Sequence, residues 1–207
     1  MVEFRSDSVM FVSGKRRFGK SVFVKEEIWN HVSNVVFHDR KWEHAILAQD
    51  PAVNLMHTLE ELTTFHDKHL HKILYQPYNS SLADFDNLCQ HLFKWGNYLL
   101  IVDEAAAYTS PQFIPHWMGE IIRMGTIRGV GIVSLSQRPR DAHNSLISEA
   151  DIIVSFRLQL ETDCQKLAQV VGPEAYKLTT VEPYHYMLYD GHEVHWCAPV
   201  PYDPQKT

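Results

Sequence analysis

The segment Gly14-Lys15-Arg16-Arg17-Phe18-Gly19-Lys20-Ser21 constrains this chain more than any other feature. Two glycines separated by four residues, followed at once by lysine and a hydroxyl residue, let the backbone N–H groups turn inward around an anion. In that arrangement Lys20 reaches the β- and γ-phosphates of a nucleotide, and the Ser21 hydroxyl faces Mg²⁺. The pattern has this meaning only between a buried strand and a helix. Residues 9–13, Val-Met-Phe-Val-Ser, read as the strand. Residues 21–31 read as the helix, with its N-terminus aimed at the same anion. The whole loop from Gly14 to Ser21 is therefore the expected nucleotide contact. Lys15, Arg16 and Arg17 have three open roles: nucleotide, a neighbouring subunit, or solvent.

A triphosphate held this way needs a carboxylate for the cation, at the C-terminal end of a buried strand. Leu99-Leu100-Ile101-Val102-Asp103 supplies it. Asp103 is the expected metal-side carboxylate, and Glu104 is placed to polarise the attacking water as general base. A glutamate directly after the aspartate fits ATPases with an acidic base, whereas Ras-like GTPases use a glutamine elsewhere. ATP and Mg²⁺ are thus the expected cofactors. A third element, residues 129–139 (Gly-Val-Gly-Ile-Val-Ser-Leu-Ser-Gln-Arg-Pro), is a strand that ends in Gln137 beside a turn proline. That amide can hydrogen-bond a γ-phosphate or the attacking water. It can equally cap a turn.

The rest of the chain alternates short apolar runs with amphipathic stretches, the pattern of an α/β fold with a mostly parallel central sheet flanked by helices. Strands are expected at residues 35–38, 73–76, 98–102, 131–136 and 151–156. Helices are expected at 55–68, with Leu55, Leu59, Leu62 and Phe65 inward, and at 111–124 and 162–171. Another should run from a Ser80 or Ser81 cap to Trp95, with Leu82, Phe85, Leu88, Leu92 and Phe93 on its inner face. Asp190-Gly191 between residues 184–189 and 193–197 marks a β-hairpin. The expected organisation is one P-loop domain over residues 1–207, with its core at about 8–175 and the hairpin as an annexe at about 182–200.

The 207 residues carry a formal net charge of −6, which excludes a generic polycationic nucleic-acid coat but not a local basic surface. The three cysteines, Cys89, Cys164 and Cys197, lack metal-type spacing and read as reduced thiols. No apolar run approaches the roughly 18 residues of a membrane helix, and no signal-peptide core follows Met1, so a soluble, intracellular protein is expected. His66, His69 and His71 do not share one helical face and are not read as a metal site. Trp42, Trp95, Trp117 and Trp196 read as packing residues, and Asp39, Asp84 and Asp86 as turn or solvated-face acids.

Together the three segments Gly-Lys-Arg-Arg-Phe-Gly-Lys-Ser, Leu-Leu-Ile-Val-Asp-Glu and Ser-Leu-Ser-Gln-Arg-Pro resemble the FtsK/HerA superfamily of DNA-pumping ATPases, over roughly residues 8–160. The resemblance implies a RecA-like P-loop NTPase core and a ring of subunits, hexameric or pentameric. It also implies sequence-independent movement of double-stranded DNA through the pore. It gives Gln137 the role of sensor, and it implies an arginine reaching the site from the adjacent subunit. Arg123 and Arg128 both fit that arginine, and Arg138 and Arg157 fit it less well. The bare size of the chain is most similar to the genome-packaging ATPases of double-jelly-roll icosahedral viruses of archaea or bacteria. That likeness implies action in the host cytoplasm or on the virion, beside capsid vertex proteins. Two other readings compete: a P-loop kinase of a small metabolite, and a nucleotide-switched assembly protein. Loops near Lys41 and Tyr108 are open as pore contacts.

Overall fold

A computed structural model describes residues 4–66 and 72–201. Among the described residues, nine strands form one sheet in the order β3-β4-β2-β5-β6-β1-β7-β8-β9. They are β1 (Val9–Ser13), β2 (Val35–His38), β3 (Val53–Met56), β4 (Lys72–Tyr75), β5 (Leu99–Val102), β6 (Gly131–Ser136), β7 (Ile152–Ser155), β8 (Tyr186–Tyr189) and β9 (Val194–Cys197). β1 to β7 pair only in parallel, whereas β8 and β9 add on antiparallel beside β7. This is a RecA-like P-loop core with a C-terminal β-hairpin. The hairpin extends the same sheet.

The central strands β1, β2, β5, β6 and β7 are buried at every residue, as strands covered on both faces must be. Alternate residues feed two separate cores. Val9, Phe11, Leu100, Val102 and Ile132 enter one. Met10, Val12, Leu99, Ile101 and Val133 enter the other. The first face is covered chiefly by α3 (Leu82–Trp95), α4 (His116–Arg128), α5 (Ser145–Ser148) and α6 (Glu161–Val171). The second is covered by α1 (Lys20–Phe23) and the π-helical turns Val24–Trp29 that continue it. The helix expected at residues 21–31 is therefore present but widens after one turn, burying Phe23, Val24, Ile28 and Trp29.

Three expectations from sequence need correction. Residues 55–68 are not one helix: Leu55 lies in edge strand β3 and is exposed, and α2 (Leu59–His66) begins afterwards. A capping box sets that start. The Glu61 N–H donates to Thr58 Oγ1 at 3.1 Å, and the Glu61 carboxylate accepts from the N–H groups of His57 and Thr58 at 2.6 and 3.2 Å. The helix expected at 111–124 is α4, displaced toward the C-terminus. Pro115 is extended at its N-cap (ψ 145°), and Gly129 closes it in the left-handed region at φ 68°. Helix α3 is capped by Ser81 and buries Phe85, Leu88 and Leu92, but Leu82 is exposed and Phe93 is only partly buried. His69 and His71, and the side chain of His66, lie outside the described residues. No helix among the described residues is long and apolar enough to cross a membrane.

Candidate functional site: the strand ends around Lys20 and Glu104

Strand order assembles the site. β6 lies between β1 and β5, so the loop after β1, Asp103-Glu104 after β5 and Gln137 after β6 meet at one edge. Ligands of open parallel sheets bind at these carboxyl ends of strands. A cavity of about 380 Å³ opens there, and Gly19, Lys20, Ser21, Asp103, Glu104 and Gln137 line it. Its size falls in the usual range for ligand sites.

The loop is a cradle that fits a phosphate chain. Gly14 and Gly19 stand at φ 138° and 115°, backbone that side chains rarely adopt. A Cβ at Gly14 would lie 2.7 Å from Phe156 Cβ, and one at Gly19 would lie 2.8 Å from the Phe156 ring. The loop therefore packs down on Phe156, the residue after β7. The Lys20 ammonium folds onto the carbonyls of Gly14 and Lys15 at 2.6 and 3.1 Å. Burial lowers its pKa to about 8, against the carboxylates of Asp103 and Glu104, which pull it back up. An anion delivered to this ammonium favours its charged form. Of the three basic residues with open roles, Arg16 and Arg17 line the cavity, whereas Lys15 lies over the Phe18 ring at 5.5 Å.

Ser21 and Asp103 both line this cavity and offer it oxygen donors, the ligand chemistry that suits Mg²⁺. Burial acts to raise the Asp103 carboxyl, but its contact with His44 and the charges of His44, Lys41 and Lys20 outweigh it and hold the group below its ordinary value. The His44 Nε2 to Asp103 Oδ2 distance is 3.5 Å. Glu104 sits in the left-handed region at φ 65°, ψ 59°, an uncommon conformation for a residue with a side chain. Its Oε2 accepts from Lys41 Nζ at 2.8 Å and from Gln137 Nε2 at 3.0 Å.

Arg123 and Arg128 do not reach this cavity in their own chain. Arg123 is half-exposed and paired with Glu120 at 2.7 Å. Arg128 ends α4 at the opposite edge of the sheet, where its carbonyl accepts from the Asn97 N–H just before β5, and its guanidinium covers Phe93. Arg138 contacts Asp141 and the buried Asp163, and Arg157 lies over Phe18.

Several site residues escape the sequence reading. Asp39, expected to be a turn or solvated-face acid, is fully buried just after β2. Its carboxylate accepts from the N–H groups of Glu43 and His44 at 3.1 and 2.8 Å and from Gln76 Nε2 at 2.8 Å. It thereby shapes the loop of residues 39–44, which carries Lys41 to Glu104 and His44 to Asp103. Asp86, also expected to be a turn or solvated-face acid, accepts from the Trp117 N–H at 2.7 Å at the start of α4. Trp42 and Trp196 are exposed rather than packed, and Trp42 stacks on His57 instead. Tyr184 lines the cavity from just before β8, and its N–H donates to the Phe18 carbonyl. Only long-range contacts create these roles. An aspartate directly after an apolar strand and one strand over from the Asp-Glu pair is the sole signal that marks Asp39.

Asp39→Ala leaves two backbone N–H groups and an amide without an acceptor. Unfolding free energy should fall by about 2–4 kcal/mol, read from urea denaturation. Unchanged stability would mean that another group organises the loop.

No family model matches this sequence, and no curated protein is similar to it. Solved structures are. The genome packaging NTPase B204 from Sulfolobus turreted icosahedral virus 2, in complex with ATP-gammaS, superposes with a TM-score of 0.78 at 20% identity, covering 96% of this chain and 100% of that one. B204, the DNA-packaging ATPase from Sulfolobus turreted icosahedral virus, gives a TM-score of 0.74 at 18% identity over 96% and 100%. This chain has the fold of the FtsK/HerA-type ATPases. VirB4 of Thermoanaerobacter pseudethanolicus shares it, with a TM-score of 0.69 at 9% identity over 95% and 90% of the two chains. Near-complete coverage in both directions means that B204 and this chain elaborate the fold to a similar extent.

Proposed function

We propose that this chain is an Mg²⁺-dependent ATPase of the FtsK/HerA superfamily that drives double-stranded DNA, packaging a viral genome into a preformed capsid. One observation carries the reading: a single cavity joins the phosphate loop, the Asp103-Glu104 strand end and Gln137. In it the loop amides and Lys20 hold the phosphates, and Ser21 and Asp103 hold the cation. Glu104 takes the proton of the attacking water, and Gln137 reads the γ-phosphate. Bound Mg²⁺ would neutralise charge on the β- and γ-phosphate oxygens. The whole chain acts as one unit, because Tyr184 brings the hairpin segment to the same cavity.

Copies form a ring of five or six, and an arginine of the neighbouring copy, Arg123 or Arg128, balances charge on the transferring group. The likeness to B204, a DNA-packaging ATPase, supports DNA as the cargo and the infected cell or the virion as the location. The DNA is gripped mainly by its phosphates, which suits movement independent of sequence. The overall charge of −6 then requires basic residues to be concentrated toward the pore.

The test is steady-state ATP hydrolysis with and without long duplex DNA at low and moderate salt. Stimulation by duplex DNA that fades as salt rises is the expected result. Turnover that needs a small acceptor and ignores DNA, with capsid vertex proteins present or absent, would overturn the motor.

A further inference from the structure

The loop of residues 39–44 places a second lysine against the reacting end of the cavity. Lys41 lines the same cavity as Lys20, and its ammonium sits on Glu104 Oε2 at 2.8 Å. That oxygen is already taken by the Gln137 amide at 3.0 Å. The loop is not loosely draped. Asp39 fixes it from beneath, and Glu43 ties its outer side to Arg16 of the phosphate loop at 3.2 Å. An isolated exposed ion pair contributes little to stability, so stability alone gives no reason for such scaffolding under Lys41.

We propose that Lys41 is a catalytic residue that binds the γ-phosphate of ATP and is parked on Glu104 in its absence, an assignment that rests on the ATPase reading above. A general base stands about 2.6–3.2 Å from the water it deprotonates. That water stands about 3–3.5 Å from the atom it attacks. An ammonium on the Glu104 carboxylate is therefore one side-chain rotation from the γ-phosphate. The γ-phosphate offers more negative charge and more acceptor oxygens than a single carboxylate, so it draws the ammonium across. The transfer does two things. It frees Glu104 Oε2 for the water, and it brings a positive charge to the group being transferred. The water oxygen then bonds to the γ-phosphorus as the bond to the bridging oxygen breaks. The electron pair of that bond leaves with ADP, and the water proton passes to Glu104. Lys41 keeps its proton throughout. ADP carries no γ-phosphate, so the ammonium returns to Glu104 and the site closes against idle chemistry.

The experiment compares binding of a non-hydrolysable ATP analogue and of ADP, together with kcat, in wild type, Lys41→Met and Lys41→Arg. Lys41→Met should weaken the analogue by about tenfold or more, the loss of one charge-assisted contact, and leave ADP within about twofold. Its kcat should fall by about 10²-fold, and Lys41→Arg should restore part of both. An unchanged ratio of analogue to ADP affinity in Lys41→Met would overturn the assignment, as would a raised kcat, since the lysine would then only obstruct Glu104. Wild type and Lys20→Ala separate this from the larger reading. If wild type hydrolyses ATP and Lys20→Ala does not, a null result at Lys41 removes Lys41 alone. If wild type binds neither nucleotide, the ATPase reading and this assignment fall together.

Discussion

Lys20→Ala should lose ATP hydrolysis almost completely, by at least about 10²–10³-fold in kcat, while the protein stays folded. The sequence pattern and the geometry agree on why. The Lys20 ammonium lies in the cavity, held by the carbonyls of Gly14 and Lys15. Those contacts are ones a phosphate can replace. Burial lowers the Lys20 pKa to about 8, and a perturbed group in a cavity is a common mark of a functional site. A lysine whose folded pKa is lowered destabilises the folded chain while it is charged. That penalty is fully present below about 8 and disappears as pH rises toward the ordinary value of 10.5. Removing the side chain should therefore leave the Tm near neutral pH unchanged or higher. Nucleotide binding works in the opposite sense, because the phosphates favour the charged form. Above about pH 8, ATP binding by wild type should take up a proton, and affinity should fall as pH rises. Calorimetry in two buffers of different ionisation heat measures the uptake, which Lys20→Ala should abolish. Hydrolysis that survives in Lys20→Ala would remove the phosphate loop from the chemistry.

What could be read from sequence was whatever a short segment settles by itself. The phosphate loop, the Asp103-Glu104 strand end and the Gln137 strand end each combine a local backbone requirement with a local run of apolar residues. All three lie where the pattern puts them. The α4 boundary was misread because α-helical periodicity extends back through residues 111–115, where Pro111 and Pro115 forbid the helix. The β3 strand was missed because Leu55, on an edge strand, points outward and fits a helical spacing by chance. Asp39 is the most instructive failure. An acid after a strand usually meets water, and nothing near it in sequence says otherwise. Its partner Gln76 comes from the end of β4, which the fold lays beside β2. Lys41 was legible only as part of a loop open as a pore contact for the same reason, since its distance to Glu104 depends on β2 and β5 being neighbours.

Glu104→Gln should hold ATP but hydrolyse it about 10²–10⁴-fold more slowly, the range that a positioned base contributes. The substitution keeps size and keeps an oxygen able to accept the Gln137 amide, so the wall of the cavity should survive. What it removes is the capacity to take the proton of water. Glu104 stands two residues beyond the last residue of β5 with a left-handed backbone, and its side chain lines the cavity. A neighbouring carboxylate cannot stand in for it, because Asp103 faces His44 and belongs to the cation side. The same exchange also removes the negative charge on which Lys41 rests. Freed, that ammonium should meet the γ-phosphate without competition, and the affinity of Glu104→Gln for ATP should equal or exceed that of wild type while ADP affinity is unchanged. A variant that binds ATP tightly and does not turn it over is thus the joint expectation for the base and for its parked lysine. Single-turnover kinetics beside equilibrium binding would measure both. Turnover undiminished in Glu104→Gln would take the base away from Glu104. Slow turnover with weakened ATP binding would keep the base and deny that Lys41 moves to the phosphate.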